Sequence, residues 1–271
     1  MKLMTQNTFL LIALILLKWV NPAKAQILNS TNTELISNNI YTICADREGF
    51  VWVGTDNGGF YDGLVSIRYI NETTIDSRRY TTQETGCCVL QTIYCIAVED
   101  RVTNPSVGAP IKWIGTPNGL VSFNGAEWKQ HAVLPDNFIH CIAFDNNANK
   151  WIGTNKGLVK YDGENVTVYN ATNTKLPSDK IKSVLVDTKN NVWAGTDKGL
   201  AKFDGKEWTI FITENSPIPN NSIFSIAEDR EKNIYIGTND GVAKFDGTSV
   251  KKKNWTIFTT KNSDLPNNVP Y

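Results

Sequence analysis

Short apolar stretches separated by polar turns run through the chain from about residue 40 to its end. Near the carboxyl end they read IFSIAED (Ile223 to Asp229), IYIGT (Ile234 to Thr238), GVAKFDG (Gly241 to Gly247) and WTIF (Trp255 to Phe258). Each stretch is rich in β-branched and aromatic residues and is bounded by Asp, Asn or Gly, which predicts a β-strand. Helical periodicity is absent throughout, so the pattern predicts an all-β chain.

An aromatic-x-Gly-Thr motif shows that these strands come in repeated units. The motif occurs five times. The interval between the first two copies is longer, and the later copies follow one another at roughly 40 residues. The aromatic residues are Trp52, Trp113, Trp151, Trp193 and Tyr235, and the glycines are Gly54, Gly115, Gly153, Gly195 and Gly237. Four short strands in a unit of this length are typical of a β-propeller blade. We therefore predict five four-stranded blades, at approximately 36–91, 92–135, 136–177, 178–219 and 220–265.

The fourth unit carries the repeat in full, as LPSDKIKSVLVDTKNNVWAGTDKGLAKFDGKEW (Leu176 to Trp208). In these residues the chain resembles the two-component regulator propeller family, and the resemblance extends over essentially all of residues 35 to 269. The resemblance implies a propeller fold and a ligand-sensing role in an exported protein of Bacteroidetes-type bacteria. It does not specify the ligand.

Packing and turn formation explain most of the repeated residues. The strand aromatics, together with Trp128, Trp208 and Trp255 on the fourth strands, are expected to fill the space between blades, and the motif glycine to allow close backbone approach. The acidic residues that follow the first strands are Asp46, Asp100, Asp145, Asp187 and Asp229. Their spacing predicts Asx-turns rather than metal ligands. Residues 145–149 partly imitate a calcium loop, but Lys150 replaces its glycine and Lys156 its glutamate, so we predict no metal and no cofactor.

The amino terminus reads as an export signal. A basic Lys2, an apolar run from Phe9 to Leu17 and the small-x-small sequence Ala23 to Ala25 predict a cleaved signal peptide over residues 1–25. The mature chain, residues 26–271, is then periplasmic or secreted, and no later apolar run approaches the ~20 residues of a membrane helix. The 27 basic and 27 acidic residues balance, so neither nucleic acid nor a membrane surface is an expected partner.

The five cysteines divide into two groups. Cys44, Cys95 and Cys141 occupy first-strand positions where other units have small residues, which indicates a packing role. Cys87 and Cys88 lie in a long excursion of the first unit, approximately residues 71–91, and could bridge to Cys95 or stay reduced.

Candidate ligand-binding residues are those that the repeat does not require. The position after the invariant isoleucine of each first strand varies while its neighbours do not, and is occupied by Tyr41, Tyr94, His140, Lys182 and Phe224. Asn39, Asn137 and Asp179 lie just before it. These side chains are expected to surround one mouth of the propeller channel, where aromatic, cationic and amide groups suit a small molecule or a sugar. Alternatively, they are bulky filler between blades.

Two classes of function remain open. The first is a binding module for a small molecule or an oligosaccharide, which would signal through a separate membrane protein because the chain contains no kinase. The second is a lyase or glycoside hydrolase acting on an extracellular polymer, since two acids at a suitable separation suffice for glycoside hydrolysis. With two histidines, His131 and His140, and no nucleophile or zinc-protease motif, we predict a non-enzyme. A purely architectural scaffold is a weaker third possibility.

The two ends of the mature chain leave blade closure open. Gln26 to Asn29 align with a fourth strand, yet the fifth unit already has its own fourth strand, Trp255 to Phe258. Either the sequence is a fragment of a longer propeller, which is the favoured interpretation, or the five blades close by themselves.

Overall fold

The computed structural model describes residues 33–35, 37, 39–56, 63–70, 75–86, 90, 92–99, 109–131, 134–247 and 254–268. The predicted signal peptide, the amino-terminal fourth strand, Cys87, Cys88 and Asp100 lie outside these residues. Within them the chain forms five four-stranded antiparallel sheets, which confirms the predicted all-β propeller class. The domain boundaries given above stay a prediction.

Each sheet is a meander of four consecutive strands, designated A to D in chain order. Sheet 1 comprises β1 (Ile40–Ala45), β2 (Val51–Thr55), β3 (Leu64–Tyr69) and β4 (Ile75–Tyr80). Sheet 2 comprises β5 (Cys95–Glu99), β6 (Ile111–Thr116), β7 (Gly119–Phe123) and β8 (Trp128–His131). Sheet 3 comprises β9 (Ile139–Phe144), β10 (Lys150–Thr154), β11 (Gly157–Tyr161) and β12 (Val166–Tyr169). Sheet 4 comprises β13 (Ile181–Val186), β14 (Val192–Thr196), β15 (Leu200–Phe203) and β16 (Trp208–Phe211). Sheet 5 comprises β17 (Ile223–Glu228), β18 (Ile234–Thr238), β19 (Gly241–Phe245) and β20 (Trp255–Phe258).

The excursion of the first unit is more regular than the sequence indicated. It contains strand β4 and one short helix, α1 (Thr82–Thr85), although no helix was predicted. Thr81 caps the helix, since its hydroxyl accepts the Glu84 amide and the Glu84 carboxylate accepts the Thr81 amide. This capping box, followed by Gly86 in the left-handed conformation, is a sequence signal that the strand pattern concealed.

The chain divides into two compact units, which are described separately. The first takes in residues 1–116 and 121–130, with sheet 1 and most of sheet 2. The second takes in residues 117–120 and 131–271, with sheets 3, 4 and 5. Among the described residues, no helix has the length and apolarity needed to cross a membrane.

Groups of four aromatic rings fill the space between neighbouring sheets. In each group one sheet contributes the aromatic residue of strand B and the last residue of strand D. The next sheet contributes the last residue of strand C and the first residue of strand D. In the first unit the group is Trp52, Tyr80, Phe123 and Trp128. In the second unit the groups are Trp151, Tyr169, Phe203 and Trp208, and Trp193, Phe211, Phe245 and Trp255. The strand B and strand D aromatics of these groups thus pack between sheets, and Tyr80, Phe203 and their counterparts, which complete the groups, were not foreseen.

The turns between strands A and B are built on the repeated aspartate, as predicted. In sheet 4 the Asp187 Oδ1 atom accepts the amides of Lys189 and Asn191 at 3.0 and 2.8 Å. Its Oδ2 atom accepts Trp193 Nε1 at 2.9 Å, which ties the turn to the aromatic group. The same pattern of amide bonds recurs at Asp46, Asp145 and Asp229. These carboxylates are structural.

The motif glycine permits the close approach of neighbouring first strands. A Cβ atom on Gly195 would collide with Ser183 Oγ and would lie 2.7 Å from Ile223 Cγ2 of the next sheet. At Gly153 the equivalent obstacles are the Cys141 thiol and Ile181. The small residue of strand A therefore occupies the room that the glycine leaves, which supports the packing role assigned to Cys141. Burial raises the pKa of this thiol to about 12.

Candidate functional site

The loops that lead into strands A and the turns that join strands B and C meet at one end of the sheets, which we call the loop face. In the second unit the Gly157 amide donates to the Asp179 carbonyl at 2.8 Å, and Asn220 Nδ2 donates to Asp240 Oδ2 at 2.7 Å. In the first unit Asn39 Nδ2 donates to Asp56 Oδ2 at 2.8 Å. Within each unit the predicted meeting of loops and turns on one face is therefore confirmed.

Lys182 is the centre of a mixed polar and aromatic cluster on the loop face of the second unit. It is the second residue of β13, and its Nζ atom donates to Ser222 Oγ at 2.8 Å. The same ammonium group lies 4.2 Å from the centroid of the Phe224 ring, on the neighbouring strand β17. All three side chains are half-buried. Two predicted site residues, Lys182 and Phe224, are thus in direct contact, and Ser222 joins them.

Partial burial disfavours the charged form of the Lys182 ammonium group. Desolvation lowers the pKa of this group, the Asp197 carboxylate acts in the opposite direction, and the Lys180 charge adds to the lowering. Asp197 and Lys180 are both exposed, so their charges are well screened by solvent. An anion brought to Lys182 would therefore favour the charged form that burial disfavours.

His140 occupies the corresponding position on β9 of the same unit. Its Nε2 atom lies 2.9 Å from Asn155 Oδ1, and its ring centroid lies 4.8 Å from that of Phe138, tilted by 45°. The Asn155 amide is in turn held by Asp136 Oδ2 at 3.0 Å. The imidazole is thus positioned by a turn between strands B and C and by the loop that leads into its own strand.

In the first unit the two predicted tyrosines contact each other. The rings of Tyr41 and Tyr94 are 5.4 Å apart in an edge-to-face arrangement of 65°. Tyr41 is 53% exposed, which is difficult to reconcile with a role as filler. Burial, and then the neighbouring Tyr41, raise the pKa of Tyr94. Beside β1, the Asp56 Oδ1 atom is buried and has no hydrogen-bond partner among the described residues.

The remaining predicted residues differ in their surroundings. Asn137 is exposed, and Asn39 is bonded to Asp56. Asp179 accepts the Ala171 amide at 2.7 Å, and the same bond joins Thr213 to Asn221 in the next loop. Asp179 is therefore engaged in holding its own loop.

Three polar residues on the loop face were missed by the sequence analysis: Ser222, Asn155 and Asp56. Ser222 directly precedes the invariant isoleucine of its unit, and Asn155 and Asp56 directly follow the aromatic-x-Gly-Thr motif. A comparison of the variable residues on both sides of those anchors would have found them.

The family comparison agrees with this geometry. Residues 34–57 and 217–240 match the family model described as two component regulator propeller. Both segments contain a strand A, the following turn and an aromatic-x-Gly-Thr motif, at opposite ends of the described chain. No curated protein matches the chain in sequence.

Solved structures show the same fold at low sequence identity. The extracellular domain of a proposed hybrid two-component system from B. thetaiotaomicron is 22% identical, with a TM-score of 0.70, and the match covers 90% of this chain and 31% of that one. A second such domain from B. thetaiotaomicron is 20% identical, with a TM-score of 0.61, over 83% of this chain and 28% of that one. The chain thus spans about a third of the length of these two proteins.

Virginiamycin B lyase from Staphylococcus aureus also has this fold. It is 16% identical, with a TM-score of 0.61, and the match covers 89% of this chain and 74% of that one. At this identity the likeness concerns the fold alone, because propellers support unrelated functions on one architecture.

Proposed function

We propose that this chain is a binding module of an exported sensor and that it recognises a small saccharide on the loop face of its second unit. The carrying observation is the contact of Lys182 with Ser222 and Phe224. A donor, a hydroxyl group and an aromatic surface on two neighbouring strands are the groups with which proteins orient and stack sugars.

The variable position is suited to this role because the fold does not depend on its identity. The invariant isoleucines on its amino-terminal side, Ile181 and Ile223, are fully buried, whereas Lys182 and Phe224 are only half-buried. The repeat thus fixes the strand and leaves the side chain free to vary with the ligand. The extracellular location of the similar domains supports an exported protein, and we propose that a membrane signalling protein receives the signal.

The test is a binding screen with glycans and metabolites, measured as a thermal shift and followed by calorimetry. Replacing His140 or Lys182 by Ala should weaken a discovered ligand by roughly 1 to 3 kcal/mol each, the scale of a lost buried polar contact. Lys180→Ala is the matched control, since Lys180 is exposed in the loop that leads into β13 and its replacement should leave affinity unchanged.

Two outcomes would count against the proposal. Full affinity in a His140→Ala, Lys182→Ala double variant would exclude this site. Turnover of the ligand, abolished by replacing a single carboxylate, would establish an enzyme in place of a sensor.

A further inference from the structure

Two lysines of the molecule are removed from solvent to different degrees and have different partners. Lys112 is fully buried, and its Nζ atom lies 3.3 Å from the Asp46 carboxylate, so its charge is paired within the protein. Lys182 is half-buried, and the contacts of its ammonium group that the structure describes are a neutral hydroxyl and an aromatic ring. The described contacts of Lys182 therefore include no carboxylate that neutralises its charge, as Asp46 neutralises the charge of Lys112.

The hydrogen-bonding capacity of the cluster points in the same direction. An ammonium group has three donors, and Ser222 Oγ accepts one of them. Because Ser222 Oγ accepts from Lys182, its own hydroxyl hydrogen can be donated elsewhere. The Ser222 backbone amide is held by Asn220 Oδ1 at 2.8 Å, which fixes this residue at the start of β17. Two donor groups, one of them cationic, are thus available to one acceptor group of a ligand.

The fold does not require a lysine at this position. The equivalent residues on the other first strands are Tyr41, Tyr94, His140 and Phe224, none of which carries a fixed positive charge. A half-buried lysine has a desolvation cost, so its presence on a strand where neutral residues also fit indicates a use outside the repeat.

We propose that Lys182 binds the carboxylate of an acidic saccharide, with Ser222 as a second donor and the Phe224 ring as an apolar surface beside the sugar. This inference rests on the proposed function and narrows its substrate class to uronate-containing oligosaccharides. The carboxylate accepts charge-assisted hydrogen bonds from the ammonium group, which are stronger than those between neutral partners.

The test compares oligogalacturonides and glucuronate-containing oligosaccharides with their methyl esters, which keep the sugar ring and lose the charge. We expect the acid to bind about ten- to a hundredfold more tightly than the ester. Lys182→Gln should reduce that preference to less than about threefold, and Lys182→Arg should restore part of it. Lys180→Gln, the matched charge deletion next to the site, should leave the preference intact.

The possible results separate this inference from the proposed function. Equal binding of acid and ester, or a preference that survives Lys182→Gln, would overturn the acidic ligand while leaving a saccharide sensor in place. Binding of neutral oligosaccharides only would have the same meaning. If neither acidic nor neutral oligosaccharides bind, both the inference and the proposed function are refuted.

Discussion

The side-chain partner of the turn aspartate is an asparagine in sheets 3, 4 and 5 but a lysine in sheet 1. Replacing the lysine and supplying the asparagine by mutation tests how sheets 1 and 2 are joined. Asp145, Asp187 and Asp229 each accept the Nδ2 group of an asparagine four residues later, at 2.8, 2.7 and 2.8 Å. In sheet 1 that place is taken by Phe50, which has no such donor. Here the Lys112 ammonium from β6 lies 3.3 Å from Asp46 Oδ2 and 4.9 Å from the centre of the Trp52 ring.

Lys112→Val removes this partner and introduces the residue that precedes the motif tryptophan in sheets 1 and 4. Removing one member of a buried ion pair costs about 3–5 kcal/mol. Asp46 keeps its bonds from the Glu48 and Phe50 amides and from Trp52 Nε1, so the stranded charge is partly compensated. We therefore expect a loss of about 2–3 kcal/mol in the free energy of unfolding.

The second change, Phe50→Asn, supplies the amide that the other sheets use. Alone it should be destabilising, because the Phe50 ring packs 6.5 Å from Trp52 and beneath Arg68. Combined with Lys112→Val it should recover part of the lost stability. The loss of unfolding free energy in the double variant should be smaller than the sum of the two single losses by about 1 kcal/mol or more.

Urea unfolding of the wild type, both single variants and the double variant measures this coupling directly. Additivity within about 0.5 kcal/mol would refute the exchange of donors. So would a Lys112→Val variant that unfolds at the wild-type urea concentration, since the Asp46 carboxylate would then need no counter-charge.

Two further predictions concern the repeat itself. Trp193→Ala should cost roughly 3–5 kcal/mol, because Trp193 is fully buried, donates to Asp187 and stacks on Phe211; wild-type melting would contradict its core role. Ala148→Gly should stabilise the chain by about 0.5–1 kcal/mol, since Ala148 has a φ of 61° and relief of that strain exceeds the entropic cost of glycine. The reciprocal Gly49→Ala change, at the same turn position with a φ of 85° and open space around a Cβ atom, should be destabilising. Shifts of the same sign in both variants would show that the backbone conformation is not the cause.

The repeat made the fold predictable because each unit has the same side-chain roles. An aspartate that ends strand A, an aromatic residue on strand B and a glycine two residues later recur with fixed spacing, and each makes a local contact that the spacing implies. The segment between β3 and β5 has no counterpart in the other units. The four-stranded first blade was predicted, but the position of its strand β4 was not identified and helix α1 was missed, although Thr81 and Glu84 carry a recognisable capping box.

Contacts between sheets were harder to predict than contacts within a unit. The substitution of Phe50 for an asparagine is visible in the sequence, but its compensation by Lys112 depends on how β6 lies against the turn of sheet 1. Similarly, Lys182 and Phe224 were identified as variable residues, while the bond from Lys182 to Ser222 crosses from one strand A to the next. Periodicity locates the position, and only the packing of neighbouring strands determines its partner.

The packing residues of the repeat and the variable residue of strand A have separate roles. Trp193 and Gly195 are enclosed by residues of two sheets, so any change there alters the packing that holds the sheets together. Lys182 lies one residue after the fully buried Ile181 and directs its ammonium toward a hydroxyl and a ring at the loop face. Substitutions at Lys182 should consequently change ligand binding with little change in stability, whereas those at Trp193 should change stability first. Under the proposed function, the ligand that is recognised can therefore vary at the loop face while the repeat that supports it stays constant.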